Sequence, residues 1–149
     1  MSIRTQNSTL NASNSRKFDI HAHVLPKNIP DFEKKFGYGG FIQLEHNAET
    51  GLSNMLKNGK LFRAVTKNCF DFEERVREMN ECRVNVQAVS TVPVMFHYWA
   101  KSEDAEITSR FLNDDLVSSC NKFPSRFVPM GTLPMQNTEL AVKVRLVIL

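Results

Sequence analysis

The feature that most constrains this chain is an alternation of two periods. KFDIHAHV (residues 17–24) alternates apolar with ionisable side chains, the period-two pattern of a strand. VNVQAVST (84–91) is rich in β-branched residues and uncharged, and RFVPMGTLP (126–134) reads as a third strand. Helical spacing fills the intervals. Asp71 can cap a helix, with Glu74 three residues on, and Phe72, Val76, Met79 and Cys82 follow at helical period. Ser102 is expected to cap a longer helix, with Glu103, Asp104 and Glu106 suited to its positive end. Its apolar face reads Ile107, Phe111, Leu112, Leu116, Cys120 and Phe123, and Pro124 stops it. A further helix begins near Asn137. Buried strands alternating with helices imply an α/β fold with a parallel sheet. Three β/α units are too few to close a barrel, which needs eight and about 250 residues. The sequence therefore predicts either a small open sheet or the first part of a barrel. LAVKVRLVIL, at the end, becomes apolar almost all round without a cap, which favours the part-barrel.

Two regions break the rhythm. Residues 1–16 are polar, rich in Ser and Asn and free of acids, and are expected to be a disordered tail, with an organellar transit signal as the alternative. Residues 31–66 read as a β insertion. Asn58-Gly59 between two mixed apolar runs is the preferred type I′ hairpin turn, and FIQLE could be a further short strand. The 149 residues suffice for one domain. Lys and Arg are interleaved with acids and form no stripe, which argues against nucleic acid. No apolar run reaches the length of a membrane span. Three cysteines without a C-x-x-C pair suggest reduced core thiols and a cytoplasmic protein.

The chemistry centres on His21-x-His23. On a regular strand residues i and i+2 point to one side, so two imidazoles at that spacing can reach one metal ion. Asp19 stands two residues earlier, expected on the same face as support. Phe18, Ile20 and Val24 would place the pair at the edge of a core. Three or more protein ligands make a catalytic zinc site, and the remaining histidines supply no convincing third. His46 reads as a solvated residue of the insertion and His97 as a loop histidine lining a pocket. Arg63, on the second arm of the hairpin, reads as a surface arginine or as the partner of a carboxylate. Lys57 and Lys60 flank the turn and read as solvated. No Gly-rich phosphate loop is present.

DIHAHVLPK, KKFGYGGFIQLEH, GKLFRAVTKNCFD, VQAVSTVPVMF, LNDDL and RFVPMGTLPMQ extend one resemblance over residues 17–143. The sequence resembles the N-terminal part of the 2-amino-3-carboxymuconate-6-semialdehyde decarboxylases of the amidohydrolase superfamily. The resemblance implies a (β/α)₈ TIM barrel with a small β insertion after the first strand. It implies one Zn²⁺ held by His21 and His23 and completed by a His and an Asp from later strands. It maps Arg63 onto the arginine that binds the substrate's carboxylate, and Lys57 onto the same pocket. The implied reaction is decarboxylation of a muconate semialdehyde in the kynurenine route of tryptophan degradation, by a homodimer. Catalytic residues are expected beyond residue 149, so the chain alone is expected to be inactive. Two alternatives remain at this point: a metal-dependent hydrolase of the same superfamily, or a non-catalytic fragment that binds full-length subunits.

Overall fold

A computed structural model describes residues 15–148, so all but the last two residues of the expected polar tail lie outside the described residues. The elements are β1 (Phe18–Val24), α1 (Phe32–Phe36), β2 (Ile42–His46), β3 (Ser53–Lys57), β4 (Lys60–Val65), α2 (Phe72–Glu81), β5 (Val86–Thr91), α3 (Ser102–Cys120), β6 (Phe127–Met130) and α4 (Thr138–Ile148). They form two sheets. One is parallel in the order β1-β5-β6; the other is antiparallel in the order β2-β3-β4.

Burial explains the parallel sheet. Ala22, Val24, Val89 and Phe127 turn toward the helices and meet Phe72 and Met79 of α2 and Leu116 and Cys120 of α3. The opposite face is lightly covered: Val128 and Met130 are exposed, and Met130 aligns with Ser90, which aligns with His23. Phe18 and Ile20 were expected in the core edge but are 61% and 79% exposed.

Asp71 caps α2 as its position suggests, accepting from the backbone N–H of Glu73 and Glu74 at 3.0 Å. Lys67 lies 3.4 Å from the same carboxylate. Asp71→Ala is expected to lower stability by about 1 kcal/mol, the usual worth of an N-cap. Urea denaturation would measure it, and an unchanged midpoint would show that the cap is replaceable by water.

The start of α3 differs from expectation. Ser102 is its first helical residue, and Lys101 occupies the cap position without a side-chain bond. Its inward face carries Ala105, Thr108, Ser109, Leu112, Asn113, Leu116 and Cys120, while Ile107 is 38% exposed. The face is still helical in period, but several of its positions are small or polar and are filled by specific bonds. Asn113 donates to the Thr132 carbonyl at 2.9 Å and accepts from the Thr132 N–H at 2.7 Å. Of the three cysteines only Cys120 is buried; Cys69 is half-buried and Cys82 exposed.

The insertion is more than a hairpin. β3 and β4 turn at Asn58 and Gly59, whose φ of 52° and 69° suit a type I′ turn. β2 adds a third strand, and α1 precedes it, capped by Asp31. Ile42, Met55 and Val65 share a cluster with Leu25, Phe70, Met95 and Leu112. That cluster welds the small sheet to α3 and to the segment following β5.

Candidate metal and substrate site

The site grows from the C-terminal half of β1. His21 and His23 have ring centroids 5.2 Å apart in an edge-on arrangement. His21 is exposed and His23 half-buried. His23 Nδ1 lies 3.0 Å from the Ser90 hydroxyl on β5, a bond that orients the ring. Neutral imidazoles in this relation suit a borderline-soft cation such as zinc. No group of three His, Cys, Asp or Glu able to hold a metal occurs among the described residues, so the pair offers two donors at most.

Asp19 does not share the histidines' face. The pairing of β1 with β5 slips between Asp19 and Ala22, so Asp19 aligns with Gln87 while His23 aligns with Ser90. This bulge carries Asp19 toward the helix layer. There its Oδ2 accepts from Gln87 Nε2 at 2.8 Å and its Oδ1 from the His21 N–H at 3.1 Å. Arg75 of α2 meets the same group, donating to the His23 carbonyl at 2.7 Å, to Gln87 Oε1 at 3.2 Å and to the Asn68 carbonyl at 3.2 Å. Sequence reasoning missed Arg75. The available signal was its place three residues after Phe72 and four before Met79, on the inward side of α2.

The two candidate substrate cations sit on the small sheet. Arg63 is exposed on β4, opposite Met55. Lys57 ends β3 and places its ammonium 5.9 Å from the Trp99 ring. Neither makes an ion pair or a side-chain hydrogen bond with the histidine pair among the described residues. Gly40 passes against Trp99 with φ of 106°, and a Cβ there would lie 2.7 Å from the ring. Only glycine fits that approach.

His97 and His46 are both more engaged than the sequence suggested. His97 is 1% exposed and enclosed by Phe32, Phe41 and Trp99. Its Nδ1 lies 3.1 Å from Thr108 Oγ1, and that hydroxyl donates to the Ala105 carbonyl. With the hydroxyl's hydrogen given to Ala105, the oxygen accepts from an Nδ1–H of His97. Nε2 has no partner. Burial, helped by the Lys57 charge, pushes the His97 pKa down to about 4. His46 bridges the Ser53 hydroxyl and the Lys27 carbonyl, each at 2.7 Å, and so ties the insertion to the segment after β1.

No protein-family model matches the chain. Curated relatives do. The 2-amino-3-carboxymuconate-6-semialdehyde decarboxylase of Caenorhabditis elegans is 61% identical over 132 residues, 89% of this chain and 33% of that protein. The enzyme of the same name from Dictyostelium discoideum is 43% identical over 129 residues, 87% of this chain and 36% of that protein. Among solved structures, apo IDCase of Metarhizium anisopliae superposes with a TM-score of 0.66 at 17% identity, covering 89% of this chain and 39% of the other. A dihydroxybenzoic acid decarboxylase from Polaromonas, solved with manganese and 2-nitroresorcinol, gives a TM-score of 0.58 at 22% identity, covering 86% and 33%. At these identities the structural likeness speaks for the α/β fold alone. The chain spans about a third of the length of the curated relatives it matches. Over that third, it is a homologue of the 2-amino-3-carboxymuconate-6-semialdehyde decarboxylases.

Proposed function

We propose that this chain is the metal-binding and carboxylate-binding portion of a zinc-dependent decarboxylase. The substrate is 2-amino-3-carboxymuconate 6-semialdehyde, an intermediate of tryptophan breakdown by the kynurenine route. The scaffold is the opening part of a (β/α)₈ barrel with residues 31–66 inserted, and the working enzyme is a homodimer. The observation that carries the reading is an imidazole pair near the C-terminal end of a parallel strand, in a chain 61% identical to a decarboxylase of that name. Strand ends of that polarity are where barrel enzymes hold their chemistry.

His21 and His23 would hold the ion through their ring nitrogens, with His23 oriented by Ser90. Zinc, when bound, supplies a Lewis acid that activates water near neutral pH. Arg63 offers a planar fork to the substrate's carboxylate. Lys57, held over Trp99, adds a second positive charge from the same small sheet. Two cations on one sheet and two imidazoles on another would orient the substrate between recognition and reaction.

Two imidazoles fall short of the three or more ligands of a catalytic zinc site. The purified 149-residue chain is therefore expected to show no appreciable decarboxylation, followed as loss of substrate absorbance. Joined to the remaining two thirds of the Caenorhabditis elegans relative, it is expected to turn over. In that chimera His21→Ala should abolish activity, and Arg63→Ala should raise KM. A folded chimera without turnover would overturn the assignment. A second reading rests on the exposed Val128 and Met130: a non-catalytic chain that seats on full-length subunits. Co-purification with the full-length enzyme at defined stoichiometry would support it.

A further inference from the structure

Arg75 is half-buried, yet among the described residues none of its hydrogen bonds goes to a carboxylate. Its fork is committed to two main-chain carbonyls and one side-chain amide. One of those carbonyls belongs to His23. The amide belongs to Gln87, which passes the connection on to Asp19, and Asp19 accepts from the His21 N–H. A single run of hydrogen bonds thus starts on α2, crosses β5 and ends on the backbone of both histidines.

The bulge makes this run consequential. An extra residue on one strand leaves part of the ladder unpaired and re-aims the side chains beside it. In β1 the slip falls between Asp19 and Ala22, on either side of His21. The His21 N–H finds its acceptor in the Asp19 side chain. From the helix side of the sheet, the network therefore sets how the imidazoles stand on the other side.

We infer that Arg75 is a positioning residue for the histidine pair: through Gln87 and Asp19 it holds the bulge that turns His21 and His23 toward one another. Its value for metal binding rests on the reading of that pair as zinc ligands. The geometric claim does not. Lysine cannot replace it, because a single ammonium does not reproduce three donors in a planar fork.

The test uses two readouts, the first on the 149-residue chain and the second on the chimera that completes it. The first, without metal, is the nuclear Overhauser contact between the two imidazole rings. The second is a Co²⁺ titration followed by ligand-field absorption. Arg75→Lys and Gln87→Met should each abolish the ring contact and weaken Co²⁺ binding about ten- to a hundredfold, the usual cost of losing a residue that orients a ligand. The double variant should lose no more than the worse single one, since both break one network. Val76→Ala, on the same helix and packed against the same core, serves as the control for lost stability. It should lower Tm and leave both readouts unchanged. The inference falls if Arg75→Lys keeps the ring contact, or if Val76→Ala loses it equally. A wild-type chimera with the remaining two thirds of the Caenorhabditis elegans relative that shows the contact and its loss in the variants but binds no Co²⁺ would overturn the zinc reading and leave the inference standing.

Discussion

Acidification from pH 6.5 to about 4 is expected to remove about 3 kcal/mol of stability through His97 alone. The ordinary value of 6.5 describes the unfolded chain, and the folded value is about 4. Above pH 6.5 the ring is neutral in both states, and the full stability is present. Between the two values the unfolded chain takes up a proton that the folded chain refuses, so stability falls with pH. Below about 4 both states are charged and this contribution levels off. The cause is the enclosure: an imidazolium there would have an Nε2–H with no acceptor, walls of Phe32, Phe41 and Trp99, and the Lys57 charge nearby. Among the described residues Thr108 is the only polar side chain bonded to the ring, and it is uncharged. Urea denaturation at pH 7, 5.5 and 4 would be compared with His97→Phe. The backbone φ of 53° at this position offsets the variant's stability at every pH and does not alter its slope. The two profiles should diverge below pH 6.5; parallel profiles would mean that His97 charges freely in the folded protein.

Phe32→Ala is expected to cost about 4 kcal/mol. The ring is 2% exposed and sits 5.6 Å from Phe36, 5.9 Å from Phe41, 5.6 Å from Phe111 and 6.5 Å from His97, centroid to centroid. It joins α1, the insertion and α3 in one cluster. α1 has only five residues, too few to persist without tertiary contacts. Removing the ring opens a cavity and releases that helix together. Phe32→Leu retains most of the volume and should cost about 1.5 kcal/mol. A loss below about 1 kcal/mol for the alanine variant, read from urea or thermal midpoints, would show that the cluster closes over the gap.

The chain's periods foretold the parallel strands, α2 and the turn at Asn58-Gly59, because each depends on local spacing and on which side chains must leave water. The bulge was invisible for the opposite reason. FDIHAHV alternates without interruption, and the slip is set by partners far along the chain: Arg75 is 52 residues from His23, and Gln87 is 68 from Asp19. His97 looked like a pocket residue because a polar side chain in a loop usually faces water. It is interior because the insertion brings Phe32 and Phe41 over it, a tertiary event with no local trace. Ile107 was misplaced because apolarity is a poor guide where a helix face is filled by the small or polar Thr108, Ser109 and Asn113, of which Thr108 and Asn113 have specific partners. The pairing of His21 with His23 needed only the local pattern, whereas the stance of their rings needed α2.

In the order β1-β5-β6, the first and last strands each keep one side of their main chain unpaired among the described residues. Such rims carry donors and acceptors in register but no address. Hydrogen bonding along them does not distinguish a strand of the same molecule from a strand of a neighbouring one. Pairing within one molecule or with a pre-bound partner proceeds at a rate independent of protein concentration, whereas mispairing between copies grows with its square. Dilution, more than temperature, then decides which of the two wins.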